Sequence, residues 1–141
     1  MIGVADLMAA LVAYLRARPA VTALTAQRVF GLELPAAETA HMPRAALVLR
    51  PSGGVAPGYT QTLPLERMRL DVVSYNATPF GAQALRRVVR DEMRRINRAI
   101  SAGVLIHSVE LSGGLNSGRD ADTLWPRVVE VYTALASETP A

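Results

Sequence analysis

Residues 65–100 constrain the fold most, because the spacing of their apolar residues changes once, from that of a strand to that of a helix. Across Leu65–Tyr75, apolar and charged side chains alternate, which predicts a strand with one buried face. Thr78 then offers a hydroxyl that can cap a helix, and Pro79 suits the first helical position. The apolar residues that follow recur at steps of three and four through Ile100. We therefore predict a strand and a long amphipathic helix that covers the sheet.

The predicted helix has a charged side opposite its apolar side. Five arginines gather there: Arg86, Arg87, Arg90, Arg94 and Arg98. Glu92 departs from this pattern, because it projects into the apolar side. A buried unpaired carboxylate is too costly, so either the helix edge is wet at Glu92 or the residue meets an arginine at an interface. Gly103 can take the left-handed conformation that ends a helix, and we place the helix end just before it.

The rest of the chain predicts a single α+β domain over residues 1–141. We expect a small, mostly antiparallel sheet of four to five strands, with two main helices packed on one face. Val129 and Val131 are the expected inward residues of the last strand, and the C-terminus is expected to fray from about residue 137. The other predicted elements are a helix over 4–15, a helical turn over 19–24, strands over 27–30, 44–50, 104–111 and 126–135, and loops over 31–43, 51–64 and 112–122.

Composition excludes several kinds of site. The chain has no cysteine, which removes disulfides, thiolate nucleophiles and cysteine-based zinc sites. It has no lysine either, so all 15 cationic side chains are arginine, and a Walker A or Schiff-base lysine is excluded. The net charge of +3 is too small to argue for nucleic-acid binding by itself. The first residues lack the basic start and apolar block of a secretory signal, so we do not expect export.

Few residues have the spacing that chemistry would require. A zinc site would need both histidines, His41 and His107, together with a carboxylate, and a surface or hydrogen-bonded role is the better interpretation. Asp120 and Asp122 lack the spacing of a calcium loop and suit local backbone hydrogen bonds. The glycine doublets are not in a phosphate-loop context. We therefore expect no enzyme activity, no catalytic residues, no metal site and no cofactor.

Two features suit protein contacts. The arginine side of the helix is either a surface for phosphates or an acidic partner, or an ordinary solvated face. Trp125 follows a glycine-rich loop at the start of the last strand, where a tryptophan either plugs the core or anchors an interface.

The order of these segments resembles a known family. The residues that carry the resemblance are a leading Ala-Leu-Val-Ala-Tyr-Leu helix, Gln27–Phe30, Met42-Pro43 before a strand, the strand ending at Tyr75, the arginine-rich helix, and the closing strand Pro126–Tyr132. From about Val4 to Ala136, the chain is similar to the tail terminator, or tail-completion, proteins of long-tailed bacteriophages and gene transfer agents.

The resemblance implies a structural virion protein. Members of that family form a ring, a hexamer by expectation, on the head-proximal end of the tail tube. The ring ends tube polymerisation and joins the tail to the head connector. The implied partners are other copies of this chain, the tail-tube protein and the connector or stopper protein, with double-stranded DNA only passing through the ring. The implied location is the virion or phage-like particle, assembled in the bacterial cytoplasm.

The candidate contact residues for that role lie on the helix and in two loops, over 51–64 and 112–124. They are Arg86, Arg90, Glu92, Arg94, Arg98, Gly53, Gly54, Tyr59, Arg119 and Trp125. Three alternatives stay open: a head-closure or stopper protein on the connector side, a nucleic-acid-binding domain that uses the arginine helix, and an unrecognised enzyme.

Overall fold

The computed structural model describes residues 4–52 and 65–138. Over these residues it shows four helices and six strands that form one sheet. The helices are α1 (Val4–Arg16), α2 (Pro19–Thr25), α3 (Ala36–Thr39) and α4 (Pro79–Arg94). The strands are β1 (Val29–Gly31), β2 (Ala46–Pro51), β3 (Leu65–Tyr75), β4 (Ala99–Ser101), β5 (Val104–Arg119) and β6 (Pro126–Glu138).

The sheet is larger than the sequence predicts and is mixed. Its strand order is β1-β2-β3-β6-β5-β4, so six strands replace the expected four to five. The parallel pair is β1 with β2, whereas the other neighbouring strands pair antiparallel, which confirms the mostly antiparallel prediction. The extra strand is β4, which lies at one edge and has three residues. At the other edge, β1 also has three residues and overlaps the strand that the sequence predicts over 27–30. Strands this short give almost no periodic signal in the sequence.

Strand β3 alternates as the sequence predicts. Met68, Leu70 and Val72 are buried in the main core. Val73 and Tyr75 point to the other face, where they join a second, smaller cluster. That cluster lies under the segment between β1 and β2, which the sequence reads as loop and which contains the short helix α3.

The main core lies between one face of the sheet and the two long helices. Leu7, Leu11 and Leu15 of α1 share it with Leu85 and Val89 of α4, which confirms two main helices on one face. The sheet curls around α1, because α1 contacts β1 and β2 at one side and β4 and β5 at the other. The Ser101 hydroxyl donates to the Ala10 carbonyl of α1 at 2.7 Å and fixes this closure.

Helix α4 starts where the sequence predicts and ends earlier. The Thr78 hydroxyl accepts a hydrogen bond from the Gly81 amide at 3.0 Å, and Pro79 occupies the first helical position. The helix ends at Arg94, although the apolar spacing continues through Ile100. The chain turns away through Arg98, whose φ is 55°, and then forms β4, which pairs with β5. Gly103, with φ of 78°, lies between β4 and β5 and does not end the helix.

Two further predictions about the C-terminal third are wrong. The 112–122 segment is not all loop, because β5 continues through it to Arg119 in register with β6. Val129 and Val131 do not face the main core, which β6 reaches through alternate residues including Tyr132 and Ala134. Ser137 itself is buried, and its hydroxyl lies 2.9 Å from Nε2 of His107, while residues 139–141 of the segment expected to fray lie outside the described residues.

Candidate assembly surfaces

Arg86 is held by its own subunit and is not a free surface cation. Its Nη1 lies 3.5 Å from Oε1 of Glu130, a residue of β6 that is 3% exposed. Its Nε donates to Oε1 of Gln83 at 3.1 Å. The side chain of Arg86 is 14% exposed. Part of the arginine side of α4 therefore packs between the helix and the sheet, where Arg86 neutralises the buried Glu130.

Arg90 lies along the same partly buried strip. It is half-buried, and its Nε has almost no exposed surface and no hydrogen-bond partner among residues 4–52 and 65–138. The Tyr132 hydroxyl is also buried and has no partner in the described part of the chain. Burial raises the pKa of Tyr132, and the nearby Glu130 charge adds to the effect. Arg90 and Arg86 oppose that rise through their positive charge. These contacts place both arginines against β6 and make neither a strong candidate for contact with another molecule.

Glu92 meets an arginine, as one of the two alternatives requires, but within its own chain. It is 3% exposed, and its Oε2 accepts a hydrogen bond from Nε of Arg18 at 2.8 Å. Nη1 of Arg95 approaches the other carboxylate oxygen at 3.4 Å. The bond to Glu92 raises the pKa of Arg18. The proposal that Glu92 receives an arginine from a neighbouring subunit is therefore not supported, because the site is filled by the link between α2 and α4.

The remaining arginines of this region form what we call the exposed arginine surface: Arg87, Arg94, Arg95 and Arg98. Arg87 and Arg94 are exposed on α4 and, at a separation of seven residues, lie about two turns apart on one side. Arg98 is exposed just beyond the helix, where its amide donates to the His107 carbonyl. Within residues 4–52 and 65–138, the side chains of Arg87, Arg94 and Arg98 make no ion pair. Arg87, Arg94 and Arg98 are the part of the predicted patch that remains free to bind a partner, whereas Arg95 lies outside that patch and contacts Glu92.

The turn that precedes β6 is held by hydrogen bonds among its own residues. Oδ1 of Asp120 accepts bonds from the amides of Asp122 and Thr123 at 2.9 and 3.1 Å, and these bonds lower the pKa of Asp120. Nη1 of Arg119 donates to the Leu124 carbonyl at 3.0 Å. The aspartates therefore serve local backbone groups, as the sequence favours, and Arg119, although exposed, helps to close the turn.

Trp125 takes the core alternative. Its ring meets the Tyr75 ring edge-to-face with the centroids 5.9 Å apart, and it packs on the smaller cluster behind the sheet. The side chain is only partly covered, so it seals the rim of that cluster. Gly53, Gly54 and Tyr59, the other candidates, lie outside the described residues.

Sequence reasoning missed residues of two kinds. Arg18 and Glu130 complete the two buried ion pairs. The sequence marks neither residue, because Val129 and Val131 as the expected inward residues would place Glu130 on the outward face. Phe80 and Leu124 are 90% and 65% exposed and offer apolar contact area. Phe80 stands at the second position of α4, outside its apolar side, which is the signal that could have identified it.

Other kinds of site find no support in the described part of the chain. It holds no group of three or more histidine, aspartate or glutamate side chains that could bind a metal ion. No single described helix has the length and composition to cross a membrane, and the pair α1 and α2, which passes that test together, is bent by 85°.

The comparisons with known proteins show the fold. No protein-family model matches this sequence, and no curated protein sequence matches it. A chain in the virion of a native gene transfer agent (GTA) particle matches the structure with a TM-score of 0.67 at 19% identity, over 94% of this chain and 96% of that chain. This protein therefore shares its fold, over nearly the full length of both chains, with a component of that particle. A second solved structure matches at a TM-score of 0.48 and 14% identity, over 97% of this chain and 94% of that chain, and carries no argument here.

Proposed function

We propose that this protein is a structural virion protein that forms a ring on the head-proximal end of a phage-like tail tube. In that role it ends tube polymerisation and joins the tail to the head connector. The observation that carries the proposal is the shared fold with a chain of a gene transfer agent virion, which extends over nearly all of both chains. The sequence resemblance to tail terminators, which rests on the order of elements, points to the same role.

The free charges of the subunit suit a ring. Ring contacts are heterologous, so one patch meets a different patch on the neighbour. The exposed arginine surface supplies a cationic patch, and exposed acids that form no ion pair in the described residues stand elsewhere, at Glu33, Glu110 and Asp122. Six repeats of one modest contact would close a firm ring, since each added contact becomes intramolecular.

The structure weakens the nucleic-acid alternative. A phosphate-binding helix needs several free cations along one side. Two of the four arginines on α4 that the alternative uses, Arg86 and Arg90, lie against β6 and are partly buried. The described residues hold no group of three or more histidine, aspartate or glutamate side chains that could bind a metal ion, and we propose a non-catalytic role.

A particle-based experiment tests the function. Deleting the gene from a host that makes the particle should give overlong tubes or heads without joined tails, visible by electron microscopy. Normal particles would contradict the proposal. Pull-down with purified tail-tube protein, compared with portal or adaptor protein, separates the terminator from the head-closure alternative. Capture by the connector proteins alone would favour head closure.

Charge reversal tests the ring surface. The Arg87→Glu/Arg94→Glu variant should fold normally, because both side chains are exposed, and should fail to form rings at tube ends. Arg67→Glu is the matched control, since Arg67 is exposed on β3, away from α4. If the wild type, the double variant and the control form rings equally well, the exposed arginine surface is not part of the ring contact. The proposed function would still stand.

A further inference from the structure

Strand β5 has an open edge. Strand β6 pairs with one side of it from Val104 to Arg119. Strand β4 covers the other side only between Val104 and Ile106, and the Arg98 amide reaches the His107 carbonyl. From Ser108 to Arg119, no described residue pairs with that side. An open edge of this length is a template for another strand, because its amide and carbonyl groups have no partner.

The residues of this edge leave room for another backbone. Residues 108–118 contain no proline and one charged side chain, Glu110, so two common protections against edge pairing are missing. A Cβ added at Gly113 would meet nothing closer than Val131 Cβ at 3.9 Å, so packing within the subunit does not require glycine there. Glycine inside a strand often marks a place where another backbone approaches closely.

An apolar groove lies at the far end of the same edge. It has a volume of about 200 Å³ and runs between Pro79 and Phe80 of α4 and Ser117 and Val128 of the sheet. Phe80 stands on its rim and is 90% exposed. Nothing in the described residues fills this groove.

Leu111, near the other end of the edge, has the right position to fill it from a second copy. Leu111 pairs with Tyr132 of β6, which is buried in the main core, and is itself 41% exposed. Ser117 pairs with Val128, which is also buried. Directly paired residues share a face of a sheet, so Leu111 and Ser117 lie on the helix-bearing face.

We propose that two copies of this chain pair antiparallel through β5, with Gly114 opposite itself and Leu111 opposite Ser117 of the second copy. This register matches the faces of the two strands at both ends and brings each Leu111 to the other copy's groove beside Phe80. Two of the three register shifts of β5, between Leu111 and Gly113 and between Gly113 and Asn116, lie close to the two-fold axis. The pairing would cover two exposed apolar side chains, Phe80 and Leu111.

Charge complementarity selects the second copy as the occupant. In this register Glu110 lies opposite Gly118 of the second copy. Gly118 pairs with Arg127 of β6, so the glutamate and that arginine stand in one row with only a glycine between them. Within its own subunit Nη1 of Arg127 lies 3.2 Å from Oδ2 of Asp120, so Glu110 would be a second acid beside this arginine. The row spans two strand spacings, about 10 Å, which the two long side chains can bridge. The two-fold axis repeats the contact, so each dimer has two such rows.

This pairing does not depend on the proposed ring. Ring contacts are heterologous, whereas a two-fold strand pairing is isologous and closes at two subunits. The dimer is therefore a state of the free protein, and its absence would leave the proposed function unaffected.

Cysteine cross-linking tests the register, since the natural chain has no cysteine. The Leu111→Cys/Ser117→Cys variant should form a covalent dimer on mild oxidation, because in the proposed register the thiol at position 111 of one copy lies opposite the thiol at position 117 of the other. Within one chain the two positions are about 20 Å apart along the strand, too far for an internal disulfide. Each single variant should cross-link weakly, as should Ser117→Cys/Ala102→Cys, whose second thiol lies in the exposed turn after β4. Equal cross-linking in all four variants, or none in any, would overturn the register.

Analytical ultracentrifugation measures how much Glu110 and Arg127 contribute to the dissociation constant of the dimer. The wild-type protein should dimerise, and Glu110→Arg or Arg127→Glu should each raise the dissociation constant about tenfold, because two rows are lost per dimer. The combined Glu110→Arg/Arg127→Glu variant should restore dimerisation, since Glu110 and Arg127 are far apart within one subunit and meet only between copies. Glu33→Arg is the matched control for a change at an exposed acid. A wild-type monomer at about 100 µM, a concentration above ordinary dimer constants, would overturn the proposal.

Discussion

Replacing Arg86 tests whether this arginine serves its own subunit. In the Arg86→Met variant, Glu130 keeps its place on the buried face of β6, at 3% exposure, but loses the guanidinium 3.5 Å away. Methionine preserves most of the length of the side chain, so packing changes little and the missing charge dominates. Arg86→Met/Glu130→Leu removes both charges and should recover most of the lost stability.

The size of the effect follows from the burial of the pair. Removing one partner of a buried ion pair costs about 3–5 kcal/mol, and we expect about 3 kcal/mol here, because the separation is long and Arg86 keeps 14% exposure. For a chain of 141 residues the unfolding entropy is about 0.3 kcal/mol/K, so the melting temperature should fall by about 10 °C.

Thermal and urea unfolding followed by circular dichroism measure this difference. Arg87→Met is the control, because Arg87 is the next residue of the same helix and is exposed, and it should change stability by less than about 0.5 kcal/mol. Equal, small effects of the Arg86 and Arg87 variants would refute the reasoning and return Arg86 to the surface available for assembly.

Three further predictions concern single contacts. Thr78→Ala should destabilise the protein by about 1 kcal/mol through the lost cap of α4, whereas Thr78→Ser should not, and urea unfolding compares them. The hydrogen bond from Arg44 lowers the pKa of Glu38. Stability from this carboxylate is therefore complete above its unfolded pKa and is lost as the pH falls through the folded value, so Glu38→Gln should flatten the acid limb of a stability–pH curve. Tyr132→Phe should leave stability unchanged or raise it by up to about 1 kcal/mol, because the buried hydroxyl has no partner, and a clear loss in thermal unfolding would contradict this.

The sequence predicts best where local signals act alone. The alternation of β3 and the capped start of α4 need only neighbouring residues, and both agree with the structure. The end of α4 was predicted wrongly, because Ile96 and Ile100 continue the helical spacing. Pairing of β4 with β5 overrides that spacing, a tertiary effect that no window of the sequence contains.

Long-range pairing also explains the other errors. The serines and glycines of 112–118 disfavour a strand, yet pairing with β6 extends β5 through them. The sequence leaves Glu92 two alternatives, a wet helix edge or an arginine at an interface. Its partner Arg18 is 74 residues away in the same chain, and the sequence cannot tell such a contact from one between subunits. The arginine side of α4 was predicted as a whole, and only the packing on β6 separates Arg86 from Arg87.

Electron microscopy of the purified protein mixed with purified tail tubes tests the central claim most directly. The account predicts a ring of this protein at one end of each tube, together with tubes that no longer lengthen when tube protein is added. Bare tube ends and continued growth, with the protein folded and in excess, would contradict it.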